Sequence, residues 1–418
     1  MATRLHLVKC PKRTRTLSVT GPCHLRLLLK TVLMPDQQTI EPFGIYIHWP
    51  FCESLCPYCD FNTYCSNQID HEQWCEAYLR QLDHSAKELE ANPCTSVYFG
   101  GGTPSLMESR TVGKILDRIS LHWGFSDQLE ITLEANPTTV EQDRFLCFRS
   151  EGINRLSLGV QALKDSDLKA LGRKHGVKEA IKAYETADRV FNNISLDFMF
   201  GRQFQSRESW IGELHEIVAL NPNHLSIYQL TIEPNTPFGK RYVANRLEGI
   251  PDEDILADMY LATMEICERN GFKQYEISNY SKPGYKGRHN LVYWEYHDFL
   301  GIGPGAHGRI SINNQYFRTN TILSPESWLD GIFKLGTGEN QRELIDLKER
   351  GSEYLLTSLR LNDGMNIDRF ERISGSKLDN NTISELVQDN WVEITDGQLK
   401  VTTNGRMVLN QIISKLLS

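Results

Sequence analysis

The chain lacks any run approaching the about 18 consecutive apolar residues that a membrane helix needs; its greasiest stretch, Leu25 to Met34, is broken by Arg26 and Lys30. No transmembrane span is expected. Internal repeats and low-complexity segments are also missing. Acidic residues are absent before Asp36, whereas Arg4, Lys9, Lys12, Arg13, Arg15, Arg26 and Lys30 fall in that segment. Those seven contribute +7 to a net charge of −8, so the rest of the chain carries −15. An acidic body without a basic cluster excludes a protein that tracks nucleic-acid phosphates.

The acid-free segment is basic, bears Ser and Thr, and has no long apolar core, which is the composition of a mitochondrial transit peptide. We assign residues 1–40 that expectation. A disordered basic tail, or an upstream extension before a second start at Met34, is the alternative, and would leave the protein cytoplasmic. The chain as a whole, with 40% hydrophobic and 23% charged residues, has the composition of a globular protein with a substantial core.

Ten cysteines would suit a disulfide framework in a short secreted chain, but this one is long and shows no secretory signal. Cys52, Cys56, Cys59 and Cys65 crowd into one short stretch, a pattern that reads as metal binding. Cys94, Cys147 and Cys267 are scattered and read as small hydrophobes.

From Gly44 onward, short β-branched runs alternate with segments of helical period. Ile45–His48, Ser96–Phe99, Leu129–Leu133, Arg155–Leu158, Ile194–Asp197 and Leu225–Tyr228 are the expected strands. Between the first two, Trp74, Tyr78, Leu82 and Leu89 recur at helical spacing. Six strand-then-helix units imply an α/β fold with a parallel sheet curled into a partial (β/α)6 TIM-like barrel over residues 41–310, ligand groups sitting at the carboxyl ends of the strands. After about 310 the alternation stops. Glu353 to Arg372 and Thr382 to Val387 read as helical, and Trp391–Ile394 and Leu399–Thr402 as a hairpin around Thr395-Asp-Gly397. Residues 311–418 are therefore expected to form a mainly helical, winged-helix-like domain with a packing or lid role.

Cys52-x3-Cys56-x2-Cys59 follows the first strand directly. Three thiolates on a cubane of four irons leave one iron open to another ligand. A structural zinc site is the alternative, but no second Cys pair follows at knuckle spacing, and five residues separate Cys65 from Cys59. The fuller motif, Tyr46-Ile-His-Trp-Pro-Phe-Cys52-x3-Cys56-x-Tyr58-Cys59-Asp-Phe-Asn62, resembles the radical SAM superfamily, in its oxygen-independent coproporphyrinogen dehydrogenase branch and the HemW-type haem chaperones within it.

That resemblance implies a [4Fe–4S] cluster on Cys52, Cys56 and Cys59. It also implies S-adenosylmethionine (SAM) chelating the open iron, and an electron from the cluster able to cleave it to a 5′-deoxyadenosyl radical. Gly100-Gly-Gly-Thr103-Pro matches the motif that holds the methionine end of SAM, with Gly101, Gly102 and Thr103 as contacts. Glu134, Tyr46 and Tyr58 would contact the cofactor as well. Asp197 falls where the family binds SAM, and Gln161 and Arg173 at its proposed second SAM position. Taken from the residues alone, each is also an ordinary polar group at a strand or helix end.

Arg288-His289-Asn290-Leu-Val-Tyr293-Trp294 matches the His-Asn-x-x-Tyr-Trp motif of the same branch. His289 could ligate haem iron while Tyr293 and Trp294 pack on the porphyrin; a histidine hydrogen-bonded in the core is the alternative. Gly301-Ile-Gly-Pro-Gly-Ala-His307 suits either a close backbone approach to a ligand or a structural loop. Phe61 stands where the dehydrogenases carry a further cysteine, and their extra N-terminal segment has no counterpart in the about forty residues before the first strand. Both departures favour a haem carrier that serves haem-accepting proteins, and admits a homodimer, over an oxidase of porphyrinogens. Asp197-Phe-Met-Phe-Gly201-Arg-Gln-Phe204 also departs from the family's Gly-Leu-Pro turn, which puts the second SAM position in question.

Overall fold

The computed structural model describes residues 41–417 apart from residue 67 and residues 139–141. The expected transit segment, residues 1–40, lies outside the described residues.

Strand β1 (Phe43–Trp49) shows how the barrel is encoded. Its alternate residues Phe43, Ile45, Ile47 and Trp49 are all buried in the main apolar core, while Gly44, Tyr46 and His48 face the other way, into the curled sheet. The same division runs through β2 (Cys94–Gly101), β3 (Phe125–Ala135), β4 (Arg155–Gln161), β5 (Ile194–Phe200) and β6 (His224–Gln229). These six contain the six expected strands and pair in parallel in chain order. Their inward side chains are polar or absent: Tyr98, Glu134, Arg155, Ser157, Gly159, Asp197, Ser226 and Tyr228 line one cavity. A TIM barrel filled by branched aliphatic layers would have no such space.

Helix His71–Ser85 crosses between β1 and β2, its first turn capped by the Asp70 carboxylate on the amides of Glu72 and Gln73. Trp74, Tyr78 and Leu82 are buried as expected; Leu89 is buried too, but beyond the helix end. Trp74 stacks on Trp328 with centroids 5.3 Å apart.

The sheet then grows at both edges. After β7 (Lys273–Gln274) and β8 (Asn279–Ser281), β9 (Asp298–Ile302) adds in parallel beside β1, and β10 (His307–Ile312), β11 (Gln315–Thr321) and β12 (Glu339–Leu344) extend it antiparallel. The twelve strands run β12-β11-β10-β9-β1-β2-β3-β4-β5-β6-β8-β7. The boundary expected at 310 therefore falls inside β10, and the sheet continues to Leu344. β10 and β11 join through Asn313 and Asn314, both at positive φ, a tight hairpin that leaves no helix between strands for a reading of strand–helix alternation to detect.

The C-terminal part packs a second core around Leu355, Met365, Leu386, Leu399 and Ile412. The helical stretch expected from Glu353 to Arg372 is two helices, Leu347–Ser358 and Ile367–Ser374. Gly364, at φ 77°, turns the chain between them, and Met365–Asn366 adds a third strand to the hairpin Val392–Thr395 and Gln398–Val401. Glu353 ties this part to the sheet, accepting hydrogen bonds from Arg309 at 2.9 and 2.8 Å and from the Tyr296 hydroxyl at 2.9 Å.

Candidate cofactor site

The cluster loop begins where β1 ends and is fastened on several sides. The Tyr64 amide donates to the Pro50 carbonyl (2.7 Å), and the amides of Gly102 and Thr103 donate to Trp49 (2.7 Å) and Phe51 (2.8 Å). At Gly102 a Cβ would meet the Phe51 carbonyl oxygen at 2.6 Å, so only glycine lets the two segments touch. Asn62 fastens the far end: its side-chain amide donates to the carbonyls of Pro304 (3.1 Å) and Leu323 (2.9 Å), and its own carbonyl accepts from His48 Nε2 (2.9 Å). A carbonyl only accepts, so His48 carries its proton on Nε2 and its Nδ1 takes the Tyr46 hydroxyl at 3.0 Å. The glycine-rich 301–307 loop serves this contact. A Cβ at Gly305 would meet Asn62 Nδ2 at 2.5 Å, so the close approach there is to the protein itself.

Cys52, Cys56 and Cys59 are free thiols and all line a cavity of ≈ 450 Å³ at the carboxyl ends of the strands. Burial pushes the Cys52 thiol up to about 11, against the lowering pull of the Thr103 hydroxyl, and raises Cys59 as well. Cys56 Sγ has Arg173 Nη1 at 3.5 Å. Cys65 is exposed, pairs with Cys52 only through the backbone, and is not among the cavity residues. Among the described residues no group of three His, Cys, Asp or Glu converges on a single ion; a cubane held by three thiolates uses a different iron for each and requires no such convergence.

Around the same cavity stand Tyr58, Gly101, Gly102, Thr103, Glu134, Gln161, Arg173 and Asp197. Glu134, at the end of β3, accepts from the Tyr98 hydroxyl (2.8 Å) and the Gly101 amide (3.2 Å). Burial raises its carboxyl to about 7, with Asp197 adding to the shift and the Tyr98 bond opposing it. Asp197 accepts from Ser157 (2.9 Å) and Ser195 (3.0 Å), and burial raises its carboxyl too. Arg173 donates to the Asn136 side chain (2.5 Å) and the Gly159 carbonyl (3.0 Å), and Asn136 donates to Thr103 Oγ1 (3.1 Å). One polar chain thus joins the glycine motif to the cysteine loop. Asn136 was not singled out in the sequence, although it stands inside Glu134-Ala-Asn-Pro137.

Four expected site residues stand apart from the cavity lining. Tyr46 faces the barrel interior but lies between the rings of Tyr98 (6.2 Å) and His289 (6.4 Å). His289 is 1% exposed. Its Nδ1 meets Ser96 Oγ at 2.9 Å and its Nε2 the Tyr293 hydroxyl at 2.6 Å. Burial, helped by the Arg155 charge, lowers it to about 3, so it is neutral. Both ring nitrogens are engaged, as in a histidine hydrogen-bonded in the core. Tyr293 spends its hydroxyl on His289 and packs edge-on against Phe299 at 4.5 Å, and Trp294 on the same short helix also lies outside the lining.

The departure at Gly201-Arg-Gln is held by charge. Arg202, 2% exposed, pairs with Glu213 and with Asp167 (3.0 Å) and donates to the carbonyls of Met199 (2.8 Å) and Gln161 (3.2 Å). Gln161 itself is left-handed, at φ 72°.

Residues 46–216 match the radical SAM superfamily and residues 345–408 the HemN C-terminal domain. A protein of Escherichia coli named heme chaperone HemW is 34% identical over 386 residues, covering 91% of this chain and 99% of its own length. This chain belongs to the radical SAM superfamily and, within it, to the HemW-type family. A zebrafish (Danio rerio) member, named radical S-adenosyl methionine domain-containing protein 1, mitochondrial, is 32% identical over 424 residues, covering 99% of this chain and 93% of its own. The solved structure of the radical SAM enzyme coproporphyrinogen III oxidase (HemN) from Escherichia coli aligns with a TM-score of 0.77 over 92% of each chain. At 19% identity that likeness speaks for the fold alone. Membership of the superfamily implies a [4Fe–4S] cluster and SAM.

Proposed function

We propose that this chain is a haem-binding chaperone on a radical SAM scaffold, working in the mitochondrion and passing haem to acceptor proteins. In this reading Cys52, Cys56 and Cys59 are the three protein ligands of the cluster. The observation that carries the cofactor assignment is that three free thiols, the Gly101-Gly102-Thr103 backbone and the Glu134 carboxyl open on one cavity. When bound, cluster and SAM together supply one-electron chemistry at the open iron. Gly101 and Gly102 let the backbone approach the methionine end, Glu134 and Asp197 accept bonds from its amino and ribose groups, and Tyr58 closes the side wall with Phe238 behind it at 6.4 Å. Gln161 and Arg173 complete the polar wall.

The haem part rests on the relative named heme chaperone, which this chain matches nearly end to end. Mitochondrial location rests on the zebrafish relative's name and on the composition of residues 1–40. The second reading is an oxidase of porphyrinogens. Phe61, exposed at the cavity mouth in place of a further cysteine, favours the carrier.

Anaerobic reconstitution with iron and sulfide, followed by a haem titration and by incubation with SAM, reductant and coproporphyrinogen III, separates the two. Saturable haem binding without protoporphyrinogen formation is expected; sustained turnover would overturn the carrier reading.

A further inference from the structure

The cavity has a floor as well as a mouth. Thr132 on β3 and Arg155 on β4 pair in register two residues before the pair Glu134 and Ser157, which sets them one inward layer, about 7 Å along the strands, beneath it. The helix Arg288–Trp294 packs at this end. Glu130 accepts its first two amides, Arg288 and His289, at 3.1 Å each, and Asn290 lines the cavity while donating to the Tyr275 hydroxyl at 3.2 Å.

Arg155 is 2% exposed and yet lines the cavity. A guanidinium carries five N–H donors, and these are hardly used. Among the described residues, Nη1 reaches Thr132 Oγ1 only at 3.5 Å, Nε has no hydrogen-bond partner, and Glu130 Oε2 stands 4.0 Å from it. Both Glu130 oxygens are already taken by the helix amides, and Asp197 spends its own on Ser157 and Ser195. The two acids balance the charge of Arg155 without meeting its N–H bonds. Arg202, equally buried, also leaves Nε unbonded, but its Nη atoms hold two carboxylates and two carbonyls. Those of Arg155 have one distant hydroxyl. Burying a guanidinium in that condition is costly unless something else supplies the acceptors.

A planar fork of donors facing open space is matched best by a planar anion with two oxygens. The acids on the cavity wall limit its charge: Glu134 and Asp197 face the same space, which favours a singly charged carboxylate over a phosphate dianion. We infer that Arg155 anchors a carboxylate at the floor of the barrel, so that the molecule sharing the cavity with SAM is an acid held by its acid end beside Asn290. This rests on the cofactor reading and deepens it by naming the class of the second occupant. An acid held there points the rest of its skeleton toward the mouth, where the cluster and SAM sit. A haem propionate and a free small acid offer the same group, and the test tells them apart.

The probe is propionate, with propionamide as its neutral counterpart, titrated into the full chain by saturation-transfer NMR before and after cluster and SAM are loaded. The wild type should bind propionate at about millimolar concentration and propionamide at least about tenfold more weakly. Arg155→Gln should lose that preference, and Arg155→Lys, which keeps the charge without the fork, should fall between the two. Circular dichroism and urea unfolding check that the variants fold; the comparison of acid with amide in the wild type stands even if neither does. Haem and haem dimethyl ester then identify the source: displacement of propionate by haem but not by the ester means a haem propionate, and any other pattern means a free acid. No binding of propionate, equal binding of acid and amide, or an undiminished preference in folded Arg155→Gln would overturn the anchor. A chain that keeps the acid preference but takes up neither cluster nor SAM would fail the cofactor reading and leave the anchor standing.

Discussion

His289 Nε2 lies 2.6 Å from the Tyr293 hydroxyl, one turn further along the same helix, while Nδ1 reaches across to Ser96 on β2. The ring therefore rivets the helix Arg288–Trp294 to the inside of the barrel. His289→Ala would leave two buried hydroxyls without their partner, at a cost of about 1–3 kcal/mol. Denaturant unfolding should show that loss, while the folded variant keeps wild-type haem affinity. Haem binding abolished at unchanged stability would restore His289 as a ligand.

Cys52→Ser, Cys56→Ser and Cys59→Ser should each lose the iron and sulfide taken up on anaerobic reconstitution, because each removes one thiolate from a three-ligand set. Cys65→Ser should keep both, since Cys65 is exposed and outside the cavity lining. Full iron content in any of the first three, or loss in the fourth, would redraw the ligand set.

Glu134 gives a pH dependence with a defined sign. Its raised value of about 7 means that the carboxylate is present above that pH and is replaced by the neutral acid below it. SAM is cationic at its sulfonium and gains from the charged form, so its affinity should fall by up to about tenfold as pH drops from about 8 to about 6. Equilibrium dialysis of the reconstituted chain measures this. Glu134→Gln should bind more weakly at high pH and flatten the profile; a variant with the wild-type slope would assign the dependence to another group.

How much of this could be read from residues alone varied with depth in the barrel. Strand ends are marked by motifs, so Cys52 through Cys59, Gly101 to Thr103, Glu134, Gln161, Arg173 and Asp197 all reach one cavity. Period-two alternation says which residues of β1 face inward, but not how far in. Tyr46 and His289 face inward but stand outside the cavity lining, where neighbouring rings and side-chain polar groups engage them. At the sheet's edge β12 reads Glu-Asn-Gln-Arg-Glu-Leu, too polar to announce a strand. It forms because β11 offers it a ladder.

The Arg202 cluster escaped the sequence for a related reason: Asp167 and Glu213 lie on helices 35 and 11 residues away, and nothing local announces a buried ion pair. Glu213 is 2% exposed, and its other oxygen already accepts the Leu163 amide at 2.7 Å. Arg202→Leu would strand that carboxylate in the interior, and breaking such a pair from one side costs about 3–5 kcal/mol. It would also free the Gln161 carbonyl that Arg202 holds at 3.2 Å, loosening a cavity residue already in the left-handed conformation. Adding Glu213→Gln to Arg202→Leu should recover part of the loss, because the amide keeps an acceptor for Leu163 without the uncompensated charge. Urea unfolding of the single and double variants measures both effects. A single-variant loss below about 1 kcal/mol, within the range of exposed pairs, would mean that this departure from the Gly-Leu-Pro turn is not held by charge.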